Sequence, residues 1–242
     1  TTTEIKTGYG LDLEHELKQL HVIRRLRREH AMDVVPTCMA AHAVPPEFAG
    51  RADDYVEYVC NIVLPRVVEE SLAQYCDVFC ETGVFSVAQS KRILETARSL
   101  GLGVKIHADE IDSLGGAQLA GELGAVSAEH LIATSDAGIR ALADGGVTAC
   151  LLPQTSLYLN KPFARAREMI AAGVPVAVAS DFNPGSCPSL NLQYSATLAY
   201  LRYRMTPEEI LTAVTLNAAC AIGLGDRLGS VEVGKQADLT LW

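Results

Sequence analysis

One histidine and two acids stand at the end of an apolar run in V-K-I-H-A-D-E: His107, followed by Asp109 and Glu110. Such a run reads as a β-strand, which puts the imidazole at its C-terminal tip and the carboxylates in the loop beyond. With a carboxylate three residues after the imidazole, one group can hold a metal ion while the other moves protons. A plain surface turn has the same composition, and this motif alone weighs the two readings equally. A second run, V-P-V-A-V-A-S-D, ends in Asp181, where a buried strand would open onto a catalytic face. Aspartate also caps ordinary turns, but pairing with His107 shifts the balance towards a shared metal site.

His130, in S-A-E-H-L-I-A, lies on the strand between them. A histidine inside an apolar strand is more often a hydrogen-bonded core residue than a ligand, and its alignment with the two neighbours favours function. After Asp181 the loop D-F-N-P-G-S-C-P offers the Asn183 amide, the Gly185 backbone and the Ser186 hydroxyl. These residues make common turns, and in a catalytic mouth they would bind a polar substrate. Tyr9, in K-T-G-Y-G-L, and His42, in C-M-A-A-H-A-V-P-P-E, follow two earlier strand candidates. Glu4, Lys6 and Glu81 are near strand ends and take no role beyond pairing behind a site. His15, His21 and His30 belong to a helix or its end and are left out.

Positioning these groups requires strands that deliver their C-terminal ends to one place. Strand candidates are residues 2–6, 33–39, 78–81, 104–107, 129–132, 149–153 and 176–180. Between them, amphipathic stretches predict helices at 13–29, 52–71, 87–100, 113–123, 135–144 and 162–172, with a final pair at 190–204 and 207–222. Gly101, Gly103, Gly145, Gly146 and Gly173 follow helices where a left-handed stop is expected. The alternation indicates a parallel sheet with crossover helices. A doubly wound dinucleotide fold is disfavoured because no strand leads into G-x-G-x-x-G. The expectation is a (β/α)8 barrel of TIM type spanning residues 1–228, with one strand lost before Thr1, and with 229–242 starting a return to a small β-sandwich. In that frame His107 and Asp181 sit at the tips of the fifth and eighth strands, with His130 on the sixth.

With 242 residues, 49% hydrophobic and 20% charged, the chain can bury a large core. A net charge of −9 works against nucleic acid and anionic membrane surfaces, which reward clustered positive charge. The one dense basic run, Arg24, Arg25, Arg27 and Arg28, closes a segment opened by Asp12, Glu14 and Glu16, as suits a helix dipole. Seven cysteines without regular spacing fit reduced core thiols in a cytoplasmic protein. Neither a signal peptide nor a membrane-length apolar run is seen. Both ends read as cut, since the chain opens on Thr1 inside T-T-T-E-I-K and stops inside A-D-L-T-L-W.

In order, H-A-D-E, S-A-E-H, L-P-Q-T and D-F-N-P-G-S resemble the imidazolonepropionases of histidine degradation, a group of amidohydrolases. A histidine and an aspartate at late strand ends are shared with guanine and cytosine deaminases, whereas K-T-G-Y-G-L, A-A-H-A-V-P and D-F-N-P-G-S are more particular. The closing G-S-V-E-V-G-K-Q-A-D-L-T-L is similar to the return segment of amidohydrolases. The resemblance spans the whole chain and implies the central and C-terminal part of such an enzyme.

It implies that His107 and Asp181 are ligands of one divalent or trivalent ion, zinc or iron. It further implies that Glu110 contacts substrate and shuttles protons, and that His130 stands beside the attacking water. Tyr9, His42, Asn183, Gly185 and Ser186 would contact the imidazolone or its product. The family's H-x-H ligands and a carboxylate-gripping arginine would precede Thr1. The implied reaction is hydrolysis of 4-imidazolone-5-propanoate to N-formimidoyl-L-glutamate. The expected partner is this small molecule, with neither nucleic acid nor membrane, and a homodimer stays open. Rivals are another amidohydrolase, such as a purine or pyrimidine deaminase, and a non-catalytic barrel that binds small molecules. C-D-V-F-C-E-T-G lacks the lysine that bridges two ions in dinuclear members, which favours one ion.

Overall fold

The computed structural model describes residues 2–240, and the chain divides into two compact units, Thr1–His107 and Ala108–Trp242. The first carries β1 (Thr2–Lys6), α1 (Leu13–Glu29), β2 (Asp33–Ala41), α2 (Ala52–Tyr58), a π-helical turn (Val59–Val63), α3 (Leu64–Glu69), β3 (Tyr75–Cys80), α4 (Val87–Ser99) and β4 (Gly103–Ala108). β1 to β4 are neighbours in sequence order. β2 runs parallel to both β1 and β3, as helical crossovers require.

α1 begins where the Asp12 side chain accepts the His15 N–H at 2.8 Å. Glu14 and Glu16 occupy its first turn, Arg27 and Arg28 its last, and Leu20 and Ile23 face the core. The arginine run is an exposed helix end, as expected. Ser86 and Gln89 form a reciprocal capping box at the start of α4. Leu64, Val67, Phe85, Ile93 and Leu94 are fully buried beneath these helices.

The second unit carries α5 (Gly116–Leu123), β5 (Ser127–His130), α6 (Asp136–Asp144), β6 (Thr148–Leu151), α7 (Pro153–Tyr158), α8 (Ala166–Ala171), β7 (Val176–Val178), α9 (Leu192–Tyr203), α10 (Pro207–Val214) and α11 (Leu216–Ala221). β5, β6 and β7 pair in parallel, around a core of Ala128, Leu142, Val147, Leu151 and Met169.

The seven strands and their alternation with helices are those expected from sequence, with shifted ends. β3 starts at Tyr75 rather than 78, because Tyr75 and Cys76 pair with Thr37 and Cys38 on β2; a buried aspartate at 77 disguises the strand. β5 stops at His130 because His130 and Leu131 both turn to positive φ, 70° and 57°. Pro153, expected to end a strand, instead opens α7, since proline at the first helical position is already set for a helix. The expected helix 52–71 holds a π-helical turn at its middle, and 207–222 breaks at Thr215, where ψ is −89°.

Gly101, Gly146 and Gly173 take positive φ as expected, but Gly145 and Gly103, which opens β4, do not. Gly145 is needed for space, because a Cβ there would lie 2.7 Å from the Gly121 carbonyl oxygen.

Residues 229–240 hold no strand among the described residues. Thr1, Leu241 and Trp242, the outermost residues of the two strand-like ends, lie outside the described residues. All seven cysteines are free thiols and five are buried. Burial pushes the Cys38 thiol up to about 12, so it is chemically quiet. No helix of the described residues is long and apolar enough to cross a membrane.

Candidate active site

In the first unit the loops after β1 and β2 and the tip of β4 bring three predicted residues together. The Tyr9 and His42 rings lie 4.3 Å apart, centroid to centroid. His42 and His107 are 6.2 Å apart, and Phe79 packs edge-on against both. The approach is close because residue 8 is glycine: a Cβ there would sit 2.9 Å from His42 Nδ1. Gln19 of α1 grips the same loop from behind, accepting from the Gly8 N–H at 3.0 Å and donating to the Gly8 carbonyl at 3.1 Å. Glu16, fully buried, accepts the Leu11 N–H at 3.0 Å. Tyr9 itself has φ 57° and is 69% exposed, so its ring stands at the surface of this cluster.

Strand register explains what lies beneath His107. Lys6 pairs with Thr37 and Thr37 with Tyr75. Alternate residues share a face, so Glu4, Lys6, Thr37, Tyr75 and Asp77 point the same way. Lys6 Nζ contacts Glu4 at 3.1 Å and Asp77 Oδ2 at 2.7 Å. Lys105, almost fully buried, reaches Glu4 at 3.0 Å, and Thr37 donates to the same carboxylate. Asp77 Oδ1 lies 3.1 Å from His107 Nδ1. Burial alone would push the Asp77 carboxyl up, but the His107 ring and the Lys6 ammonium outweigh it and hold it well below the usual carboxylate range. Glu4 is likewise held below its ordinary value, with Lys6 and Lys105 outweighing burial. Sequence reasoning missed Asp77. Its signal was an acid set between apolar strand neighbours, Cys76 and Val78.

In the second unit, the two acids of H-A-D-E part company. Asp109 is fully buried at φ 50° and accepts from Gly115 N and Gly116 N, both at 3.1 Å, and from Thr134 Oγ1 at 3.2 Å. It is an anchor for the start of α5. Glu110 is instead turned towards His130, with Oε2 3.6 Å from Nε2. The bulky Leu131 next to His130 is also left-handed, an outlier for such a residue, and its N–H is tied to the Ala108 carbonyl at 3.1 Å. Of the nine non-glycine residues at positive φ among the described residues, five lie at or shortly past a strand end: Tyr9, Asp109, His130, Leu131 and Asp181. Strain of this kind persists where surroundings impose it, and it recurs at functional sites.

Asp181, at φ 55°, accepts a hydrogen bond from Thr155 of α7, a partner the sequence reading also missed. Its signal was the L-P-Q-T motif, which carries the family resemblance but was given no site role. Asn183 stitches its own loop, accepting from Gly185 N at 2.9 Å and Ser186 N at 2.7 Å. Its amide donates to the Asp181 carbonyl at 2.8 Å and to Ser186 Oγ at 2.9 Å. Gly185 is exposed and Ser186 half-buried on this loop. The Asn183 side chain thus shapes the turn that carries Asp181, and Gly185 and Ser186 present its outer edge.

These parts offer an imidazole whose Nδ1 faces a carboxylate at 3.1 Å, a carboxylate on a hydrogen-bonded loop, a carboxylate–imidazole pair and a wall of two tilted rings. An imidazole nitrogen and a carboxylate oxygen are each donor types that metal ions take. The Glu110–His130 pair suits proton transfer.

Along its entire length the chain is 54% identical, over 243 aligned residues, to the imidazolonepropionase of Alkaliphilus metalliredigens, and it spans 58% of that protein. In fold it is similar to an amidohydrolase from a Sargasso Sea environmental sample, with a TM-score of 0.71 at 19% identity over 98% of this chain and 58% of the other. An adenosine deaminase from Xanthomonas campestris with bound zinc gives a TM-score of 0.66 at 22% identity, over 90% of this chain and 54% of the other. The pattern of the amidohydrolase family runs over residues 79–242, and the chain belongs to that family.

Proposed function

We propose that the intact protein is an imidazolonepropionase, hydrolysing 4-imidazolone-5-propanoate to N-formimidoyl-L-glutamate. The observation that carries this reading is the 54% identity to an imidazolonepropionase over an alignment that covers the whole of this chain. Water adds to the ring carbonyl carbon, the ring carbon–nitrogen bond breaks, and the leaving nitrogen takes up a proton.

His107 and Asp181 would hold one zinc or iron ion, with further ligands supplied by the rest of the intact protein. When bound, the ion supplies Lewis acidity, polarising the carbonyl and easing loss of a proton from water. Glu110 takes the proton from the water and hands it to the leaving nitrogen, and His130 at 3.6 Å holds that carboxylate in place. Tyr9 and His42, with ring centroids 4.3 Å apart and planes tilted by 30°, form a wall against which a flat five-membered ring can lie. Gly185 and Ser186 border the loop at Asp181 and contact the polar substrate. Free buried thiols accord with a reducing compartment, so the cytoplasm is the proposed location.

The test is a substrate panel on the intact protein, following loss of imidazolone absorbance beside ammonia release from guanine, cytosine and adenosine. A site built to hydrogen-bond one substrate disfavours others by up to about 10⁴-fold in kcat/KM. Equal or faster turnover of a deaminase substrate would reject the proposed substrate.

A further inference from the structure

Behind His107 stands a buried acid that touches neither of the loops assigned above to substrate. Asp77 is fully buried within β3, and its two oxygens are divided between two partners: Oδ1 faces His107 Nδ1 at 3.1 Å and Oδ2 faces Lys6 Nζ at 2.7 Å. Lys6 is in turn shared with Glu4, which also takes Lys105. The result is one continuous line of alternating charge, Lys105, Glu4, Lys6, Asp77, ending on the imidazole.

We infer that Asp77 is the positioning residue for His107: it fixes the Nδ1–H tautomer and the ring plane, so that Nε2 is presented as the metal-binding nitrogen. This inference rests on the proposed ligand role of His107. The argument is geometric. An ionised carboxylate only accepts hydrogen bonds, and an ammonium ion at 2.7 Å keeps Asp77 in that form. Nδ1 must then be the donor, and the lone pair falls on Nε2. Because the second oxygen of Asp77 is tied to Lys6, the carboxylate cannot swing away from the ring. Glu4 and Lys105 fix Lys6 in its turn, and all five side chains stand on strands rather than loops. Carboxylates that hold a ligating histidine in this way typically raise metal affinity about 10- to 100-fold.

The experiment uses the intact protein loaded with zinc. Asp77→Asn should release the ion at about 10- to 100-fold lower concentrations of a competing chelator than the unmodified protein, with far-UV dichroism unchanged. Multiple-bond proton–nitrogen correlation spectra of the metal-free protein at alkaline pH should show His107 protonated on Nδ1, with the variant moving towards the Nε2–H form. Chelator curves that coincide would overturn the inference. So would loss of metal as complete as in His107→Ala, which would make Asp77 a ligand. An Nε2–H tautomer in the unmodified protein would overturn it too, and that measurement stands even if Asp77→Asn does not fold. Should His107→Ala keep its metal, the ligand reading fails. Should His107→Ala lose the ion while Asp77→Asn holds it normally, only the positioning role fails.

Discussion

Asp109→Ala should cost the protein far more stability than Glu110→Ala, although the two acids are adjacent. Asp109 is fully buried, and it accepts two backbone N–H bonds at 3.1 Å, a third from Ala117 at 3.4 Å and the Thr134 hydroxyl at 3.2 Å. A hydrogen bond to a charged group contributes about 1.5–3 kcal/mol net, and removing the acceptor leaves its buried donors unpaired. The four bonds share one carboxylate and do not add in full. Counting the two shortest gives about 3–6 kcal/mol, which overlaps the range of about 3–5 kcal/mol for breaking a buried charged pair. Glu110 is partly exposed, and the acid–imidazole contact at 3.6 Å is its one ion pair among the described residues. Its truncation should stay within about 1 kcal/mol. Urea unfolding of the intact protein, followed by tryptophan fluorescence and dichroism together, gives both values from the midpoints and slopes. If Asp109→Ala loses no more than Glu110→Ala, the anchor role is wrong and α5 starts without it.

Glu110→Gln should keep the metal and the fold but lower kcat by about 10²- to 10⁴-fold, since the amide preserves shape and cannot carry a proton; a near-normal kcat across pH rejects the role. Asp181→Ala should lose metal and activity together, measured by metal analysis beside turnover, and full occupancy with normal turnover counts against the ligand assignment. Burial raises the Glu16 carboxyl above its ordinary value of 4.5, so its contribution to stability is present below that pH and is lost as pH rises through the raised value. Glu16→Gln, which keeps an acceptor for the Leu11 N–H, should therefore be at least as stable as the unmodified protein at neutral pH. Urea midpoints from acid to neutral pH check this, and a neutral-pH loss with an unchanged pH slope would refute it.

Local sequence determined those features whose causes are local. Alternating apolar strands and amphipathic helices and the dipole-matched charges of α1 each depend on residues a few positions apart, and all were legible. The histidine at the end of β4 and the acid after β7 were readable for the same reason: a polar residue that follows an apolar strand is delivered to its tip. Strand ends were less readable, because the start of β3 is set by pairing with β2 and the end of β5 by a left-handed backbone at His130. Tertiary structure alone decided the partners. Asp77 and His107 are 30 residues apart, and nothing local says that strand register turns them to the same side. Adjacent in sequence and identical in charge type, Asp109 and Glu110 differ because one carboxylate meets the open N–H groups of α5 and the other meets an imidazole. A side chain's role is set by the groups that desolvate it and share its protons, and those groups are gathered by the fold rather than by the neighbouring residues.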